Sequence, residues 1–228
     1  MKTRIWAIAV LALLIGGIFF WNRAQAKPST RQELRANVSE ANSNAINEAF
    51  NSSATNLRLT LNNLLRADAI LGSGAVVSMY NGIDTTRAQQ LLMDNANQIA
   101  SIIQSAYGTN AHDTFLQLWS QQAQAYKNYV TGRKNNDTAK MDQAKEQLQT
   151  TAKKMGDLFG NMSSNVSSST VESLMNQQTM TILQIVDAAA KGDATQTTNL
   201  TQQAYNQAGK FADALARGMI LDKPDMFQ

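Results

Sequence analysis

Three polar residues stand where the surrounding pattern calls for apolar ones. Asp68, Gln122 and Gln178 each occupy a helical stripe otherwise filled by Leu, Ile, Val, Ala or aromatic side chains. They precede Asp84, Asp137 and Asp193 by 16, 15 and 15 residues. If the segments pack equivalently, the three side chains reach similar depth and converge. A buried carboxylate is costly unless paired, and an unpaired buried amide costs roughly 1–3 kcal/mol. Two arrangements satisfy such groups. One is a hydrogen-bonded network with each other, with Asn95 or Arg66, or with trapped water; the other is a bound ligand or ion. The competing reading puts them at the stripe's edge, reaching solvent.

Other chemistries are excluded by residue type. The chain has no Cys and a single His, which removes disulfides, thiolate nucleophiles, iron–sulfur clusters and multi-histidine sites. His112 lies beside Asp113 in the first turn of a helix and reads as structural. Ten methionines invite a soft-metal reading, but Met79, Met141, Met155 and Met175 fall at apolar helical positions and there is no Met-x-x-Met cluster. Gap-filling in a core is the expectation. Trp119, Tyr126 and Tyr129 are expected to pack rather than to form a binding platform. Gly72-Ser73-Gly74 is no phosphate loop, since no strand precedes it and no Lys follows; a close helix–helix approach is expected there. No catalytic residue and no cofactor is assigned.

The elements that position these residues follow from the periodicity. Only Pro28 and Pro224 occur, so 195 consecutive residues lack the residue most hostile to helix interiors. Leu57, Leu61, Leu64, Leu71, Ala75 and Met79 share one stripe with Asp68. Asn81-Gly82 stops that helix and Asp84 caps the next, whose stripe is Ala88, Leu91, Asn95, Ile99, Ile102 and Ala106. The arrangement then returns twice. Asn110, Asp137, a Ser169–Glu172 capping box and Asp193 are the expected starts, and Gly108, Gly132, Gly160, Gly192 and Gly218 the expected stops. The capping aspartates are 53 and 56 residues apart, and the glycines Gly108, Gly160 and Gly218 are 52 and 58 apart. The chain is thus expected to be all-α: a six-helix antiparallel up-and-down bundle of three αα-hairpin repeats, at about 54–108, 109–160 and 169–218, within a domain over 54–228. Each helix is expected to be roughly 30–37 Å long at 1.5 Å per residue. Spacing alone leaves a closed bundle and three stacked hairpins both open, the closed form being preferred.

Residues 1–26 read as a targeting segment and 27–53 as a polar tether, with a short helix around Ala45–Phe50. Lys2 and Arg4 precede an uncharged apolar run of 17 residues, Ile5 to Trp21, and Ala24-Gln25-Ala26 supplies a small-x-small cleavage site. Cleavage after Ala26 is expected; the alternative is an uncleaved anchor, with membrane contact only through residues 5–21. Either way the rest is exported, extracellular or associated with the cell envelope. Lys2, Arg4 and Arg23 belong to this leader, so 17 basic and 17 acidic groups remain beyond it. That neutral balance, with Asn, Gln, Ser and Thr making up 77 of 228 residues, removes the electrostatic warrant for nucleic-acid binding.

Phe211-Ala-Asp-Ala-Leu-Ala-Arg-Gly-Met-Ile, the Pro224-Asp225-Met226-Phe227 ending, and Asn95-x-x-x-Ile99 followed by Tyr107-Gly108 are distinctive. In these segments, across about residues 57–227, the chain resembles a family of secreted helical-repeat proteins of Gram-positive, often spore-forming, bacteria. The resemblance implies export and repeated helices but no particular activity. Members of that family carry Glu-His pairs early in the odd helices; here the corresponding places read Ala67-Asp68, Gln121-Gln122 and Gln177-Gln178, so a metal role resting on those histidines does not carry over. The expected function is a non-enzymatic binding or structural role at the cell envelope, with an unidentified protein or envelope component as partner. The alternative is a small-ligand or ion-binding bundle with a polar interior site around Asp68, Gln122 and Gln178, with Asn95 beside it.

Overall fold

Each apolar stripe forms one face of a helix, and the faces have only one another to bury against. The computed structural model describes residues 52–227; the apolar leader, its cleavage site and the short helix expected around Ala45–Phe50 lie outside these residues. Six helices follow in order: α1 (Ser53–Tyr80), α2 (Thr86–Tyr107), α3 (Thr109–Asn135), α4 (Thr138–Met162), α5 (Ser168–Ala190) and α6 (Ala194–Asp222), with a 3-10 turn at Pro224–Met226. Connections of one to five residues force successive helices antiparallel.

Every helix packs on its sequence neighbours, and α6 returns to pack along α1. The ring is therefore closed, and stacked hairpins are ruled out. The odd helices α1, α3 and α5 also touch one another. They form an inner triangle, with α2, α4 and α6 in its outer clefts. Phe115 of α3, Phe159 of α4 and Phe211 of α6 run through the core edge to face, with ring centroids 6.5 and 6.1 Å apart. Leu61, Ile99, Ile103, Leu148, Met155, Ile185, Leu215 and Met219 are fully buried around them. No helix among the described residues is long and apolar enough to cross a membrane.

The caps divide into those the sequence located and those it misplaced. Asp137 accepts from the Lys140 amide at 3.0 Å and Asp193 from the Gln196 amide at 2.9 Å. Asp84 is not the cap of α2, since the cap position is Thr85; one residue earlier, Asp84 accepts from both the amide and the hydroxyl of Thr86, at 2.9 and 2.7 Å. Asn110 does not cap α3, because Gly108 alone reverses the chain between α2 and α3. Its φ of 88° with ψ of 176° suits only glycine, and the helix has already begun at Thr109. Ser167, not Ser169, caps α5, accepting from the Thr170 amide at 3.4 Å.

Three of the six expected stops are not stops. Gly132 lies inside α3, which runs on to Asn135 and ends on Asn136 in the left-handed conformation. A Cβ on Gly132 would sit 2.9 Å from Met141 Cγ and 3.0 Å from the Asp137 carbonyl oxygen. Gly160 lies inside α4 against Ser168, and Gly218 inside α6 against Val166. These glycines let elements approach closely, which a sequence pattern cannot distinguish from a helix end. The buried seam of α1 also differs from the expected stripe by one residue. Leu65, Ala69 and Val76 are buried, whereas Leu64 and Met79 are half-buried.

Candidate functional site

Three- and four-residue steps along the inner helices bring equivalent positions to the centre. Asp68, Gln122 and Gln178 are 54 and 56 residues apart, and the same offsets relate Gly72, Tyr126 and Ile182, and again Leu65, Trp119 and Met175. All nine residues line one cavity of about 300 Å³. Its wall is predominantly apolar. Where α3 supplies a tyrosine and α5 an isoleucine, α1 supplies Gly72, and a Cβ there would meet nothing within 4 Å. The same holds for Gly74. The Gly72-Ser73-Gly74 segment is therefore not the close helix–helix approach expected from its small residues. Helix α1 passes through it uninterrupted, Ser73 returning its hydroxyl to the Ala69 carbonyl at 2.7 Å, and Gly72 leaves space instead.

The second source of space is α2. Its buried residues begin only at Asn95. The preceding two turns cover the cavity loosely with Gln89, Leu92 and Met93, the last 48% exposed. Helices α4 and α6, in the equivalent clefts, pack more closely on both neighbours.

The polar residues in this space differ in how they are satisfied. Gln122, 7% exposed, donates Nε2–H to Tyr126 Oη at 3.2 Å. Tyr126 Oη in turn shares a 3.3 Å hydrogen bond with Thr179 Oγ1 on α5. Burial pushes the Tyr126 phenol up to about 12, so it stays protonated. Asp68 Oδ1 and Gln178 Oε1 are shielded from solvent and have no hydrogen-bond partner among the described residues, and Gln207 Oε1 of α6 is in the same state. Burial pushes the Asp68 carboxyl up to about 7, with the Asn95 amide acting in the other direction. The three stripe residues thus converge on one cavity but do not join into one network.

Of the expected network partners, Asn95 acts on Asp68 and also reaches α1, whereas Arg66 turns away and keeps a shielded Nε with no partner among the described residues. Asn95 is buried and donates Nδ2–H to the Leu64 carbonyl at 2.7 Å, tying α2 to α1. Arg66 turns to α6, donating to Tyr205 Oη at 3.3 Å, with its guanidinium 4.7 Å from the centre of the Tyr205 ring. Gly209 makes room for it, since a Cβ there would lie 2.5 Å from Arg66 Nη2. Gln207 was missed as a lining residue. It shares a stripe with Leu200, Ala204 and Phe211, and its position as a further polar intrusion on an apolar stripe was the available signal.

The remaining candidates have local partners. His112 Nδ1 lies 2.8 Å from Asp113 Oδ1. Trp119 packs on Phe115, ring centroids 5.2 Å apart, and forms part of the cavity wall. Tyr129 donates to Asp187 Oδ2 at 3.1 Å, and Arg133 Nε to Asp187 Oδ1 at 2.9 Å. Tyr107 donates to Asp222 Oδ2 at 2.6 Å, fastening the end of α6 to α2. Met155 and Met175 are buried, and Met79 and Met141 pack half-buried against the core. Among the described residues no group of three or more His, Asp or Glu side chains is placed to hold a metal.

Comparison with protein-family models, with curated proteins and with solved structures gave no match.

Proposed function

We propose that this protein is a non-enzymatic binding bundle that takes a small molecule into the cavity between α1, α3 and α5. One observation carries the reading. Asp68 Oδ1, Gln178 Oε1 and Gln207 Oε1 are shielded acceptors without partners, and all three residues line the same apolar cavity. An unpartnered buried polar atom costs roughly 1–3 kcal/mol, and an apolar cavity with a few convergent polar groups has the make-up of a small-molecule site. A purely structural core would place apolar side chains at these stripe positions, as it does one turn away at Leu65 and Met175.

The leader supports an exported location, and the neutral charge beyond it argues against polyanionic partners. The resemblance to secreted helical-repeat proteins agrees with export. N-terminal sequencing of protein recovered from its own culture medium is expected to begin at Lys27; recovery of the intact chain from membranes points to an anchored form instead.

Native mass spectrometry of that recovered protein tests the binding reading. A retained small molecule is expected, and Gly72→Leu, which places a side chain in the cavity, is expected to abolish retention while leaving the fold intact. Retention unchanged in Gly72→Leu would place the ligand elsewhere.

A further inference from the structure

The polar end of the cavity has a definite chemistry. Asp68, Gln178 and Gln207 belong to α1, α5 and α6, three helices that pack on one another, and each brings one unpartnered oxygen. An amide can turn its nitrogen to face the cavity instead of its oxygen. A carboxylate has no such alternative and accepts only. Asp68 therefore sets the demand: its partner must donate, and a partner that also carries positive charge offsets the cost of holding a carboxylate in an apolar space. Among the lining residues the basic one is Lys127, which is exposed.

Beyond Asp68 the part of the wall that α1 supplies is apolar. From Asp68 the lining residues of α1 continue through Gly72, Ala75 and Val76 to Met79, about 16 Å at 1.5 Å per residue. Leu92 and Met93 of α2 close over that end. A volume of about 300 Å³ corresponds to on the order of ten water molecules, hence a ligand of roughly ten to fifteen non-hydrogen atoms.

We propose that the cavity is a site for an amphipathic primary amine, its ammonium group held among Asp68, Gln178 and Gln207 and its apolar body lying along α1 beneath the first turns of α2. A primary ammonium has three N–H donors, matching the three oxygens that lack partners. Trp119 and Phe211 line the same space, and aromatic faces near a cation add to its retention. The proposal rests on the reading of the cavity as a binding site and specifies what that site takes.

Binding also carries a pH signature. Burial pushes the Asp68 carboxyl up to about 7, whereas an alkylamine stays charged far above that, as the lysine side chain does. Around Asp68, α3 brings Tyr126 and exposed Lys127. Arg66 of α1 is engaged with Tyr205 of α6, and α2 and α5 bring only uncharged lining residues. Between pH 5.5 and 8.5 the Tyr126 phenol, pushed up by burial to about 12, stays protonated. Amine affinity should therefore rise through that window as Asp68 ionises.

The test is calorimetric titration of the protein recovered from its own culture medium or membranes with octylamine, octanol and octanoate. Octylamine is expected to bind at least about tenfold more tightly than octanol, and octanoate not measurably. Asp68→Asn is expected to remove that preference and the rise with pH, while octanol binding persists. Gly72→Leu is expected to abolish binding of all three. Equal binding of octylamine and octanol, unchanged in Asp68→Asn, overturns the amine proposal but leaves the cavity as a binding site. Preference for octanoate likewise overturns it. Failure of all three probes to bind overturns the binding reading itself, provided circular dichroism shows the helices intact.

Discussion

At the scale of single residues, Asp68 concentrates the conflict between folding and binding. Its carboxyl is shifted upward by burial to about 7, so the folded chain holds that proton to higher pH than the unfolded chain, which releases it near 4. The stability associated with the proton is complete below about pH 4 and is lost as pH rises through about 7. Asp68→Asn removes this dependence. The variant is expected to exceed the parent by about 2–4 kcal/mol at pH 8 and by little at pH 4, read from urea unfolding at both values. A gap that stays constant with pH would show that Asp68 is well solvated in the folded chain. Tyr126 has the opposite character, since its hydroxyl joins Gln122 of α3 to Thr179 of α5. Tyr126→Phe leaves both partners short of a bond and is expected to cost about 1–2 kcal/mol at any pH from 5 to 8.

At the scale of elements, the glycines inside helices fall into two physical classes, and substitution separates them. Gly72 of α1 borders the cavity with nothing within 4 Å of a would-be Cβ. Gly72→Ala is expected to stabilise the protein by about 0.5–1 kcal/mol, the usual gain from replacing glycine in a helix. Gly160 of α4 faces the first residue of α5, and a Cβ there would collide with Ser168 Oγ. Gly160→Ala is expected to destabilise by about 1–3 kcal/mol despite the same gain in helix propensity. Thermal unfolding of the two variants side by side reads the difference in sign. Equal stabilisation of both would mean that α4 and α5 can separate at no cost. The loose seating of α2 is the other feature at this scale. Its first two turns bury no side chain fully, and this leaves room at the centre that α4 and α6 do not leave in their own clefts.

At the scale of the molecule, stability depends on closing the ring. Helix α6 lies against both α1 and α5, and it carries Phe211, Leu215 and Met219 into the core. A chain ending at Asp193 would leave the matching seams of α1 and α5 in water and is expected to lose the cooperative thermal transition, read by circular dichroism. Phe159 links the two sides of the core, meeting Phe115 and Phe211 edge to face. Phe159→Ala is expected to cost about 3–5 kcal/mol. A loss below about 1 kcal/mol would mean that the core collapses around the gap.

The sequence by itself determined that the described residues are helical, six helices in three related pairs. Absence of proline, a stripe period near 3.6 and aspartates at regular offsets are local properties, and helix formation and capping are local events. It also singled out Asp68, Gln122 and Gln178, because a polar residue on an apolar stripe is visible without any tertiary information. Whether a glycine ends a helix or admits a neighbour was not legible, since Gly132, Gly160 and Gly218 differ from Gly108 only in what lies opposite them. The same limit applies to Gly72, which read as a close approach and lines a cavity, and to Gln207, which becomes a lining residue only when α6 closes the ring. Cavities and partners are properties of pairs of surfaces distant in sequence. The tertiary structure alone decided that Asp68, Gln178 and Gln207 each keep one shielded oxygen without a protein partner, because α2 seats loosely in its cleft and a glycine stands where α3 has Tyr126 and α5 has Ile182.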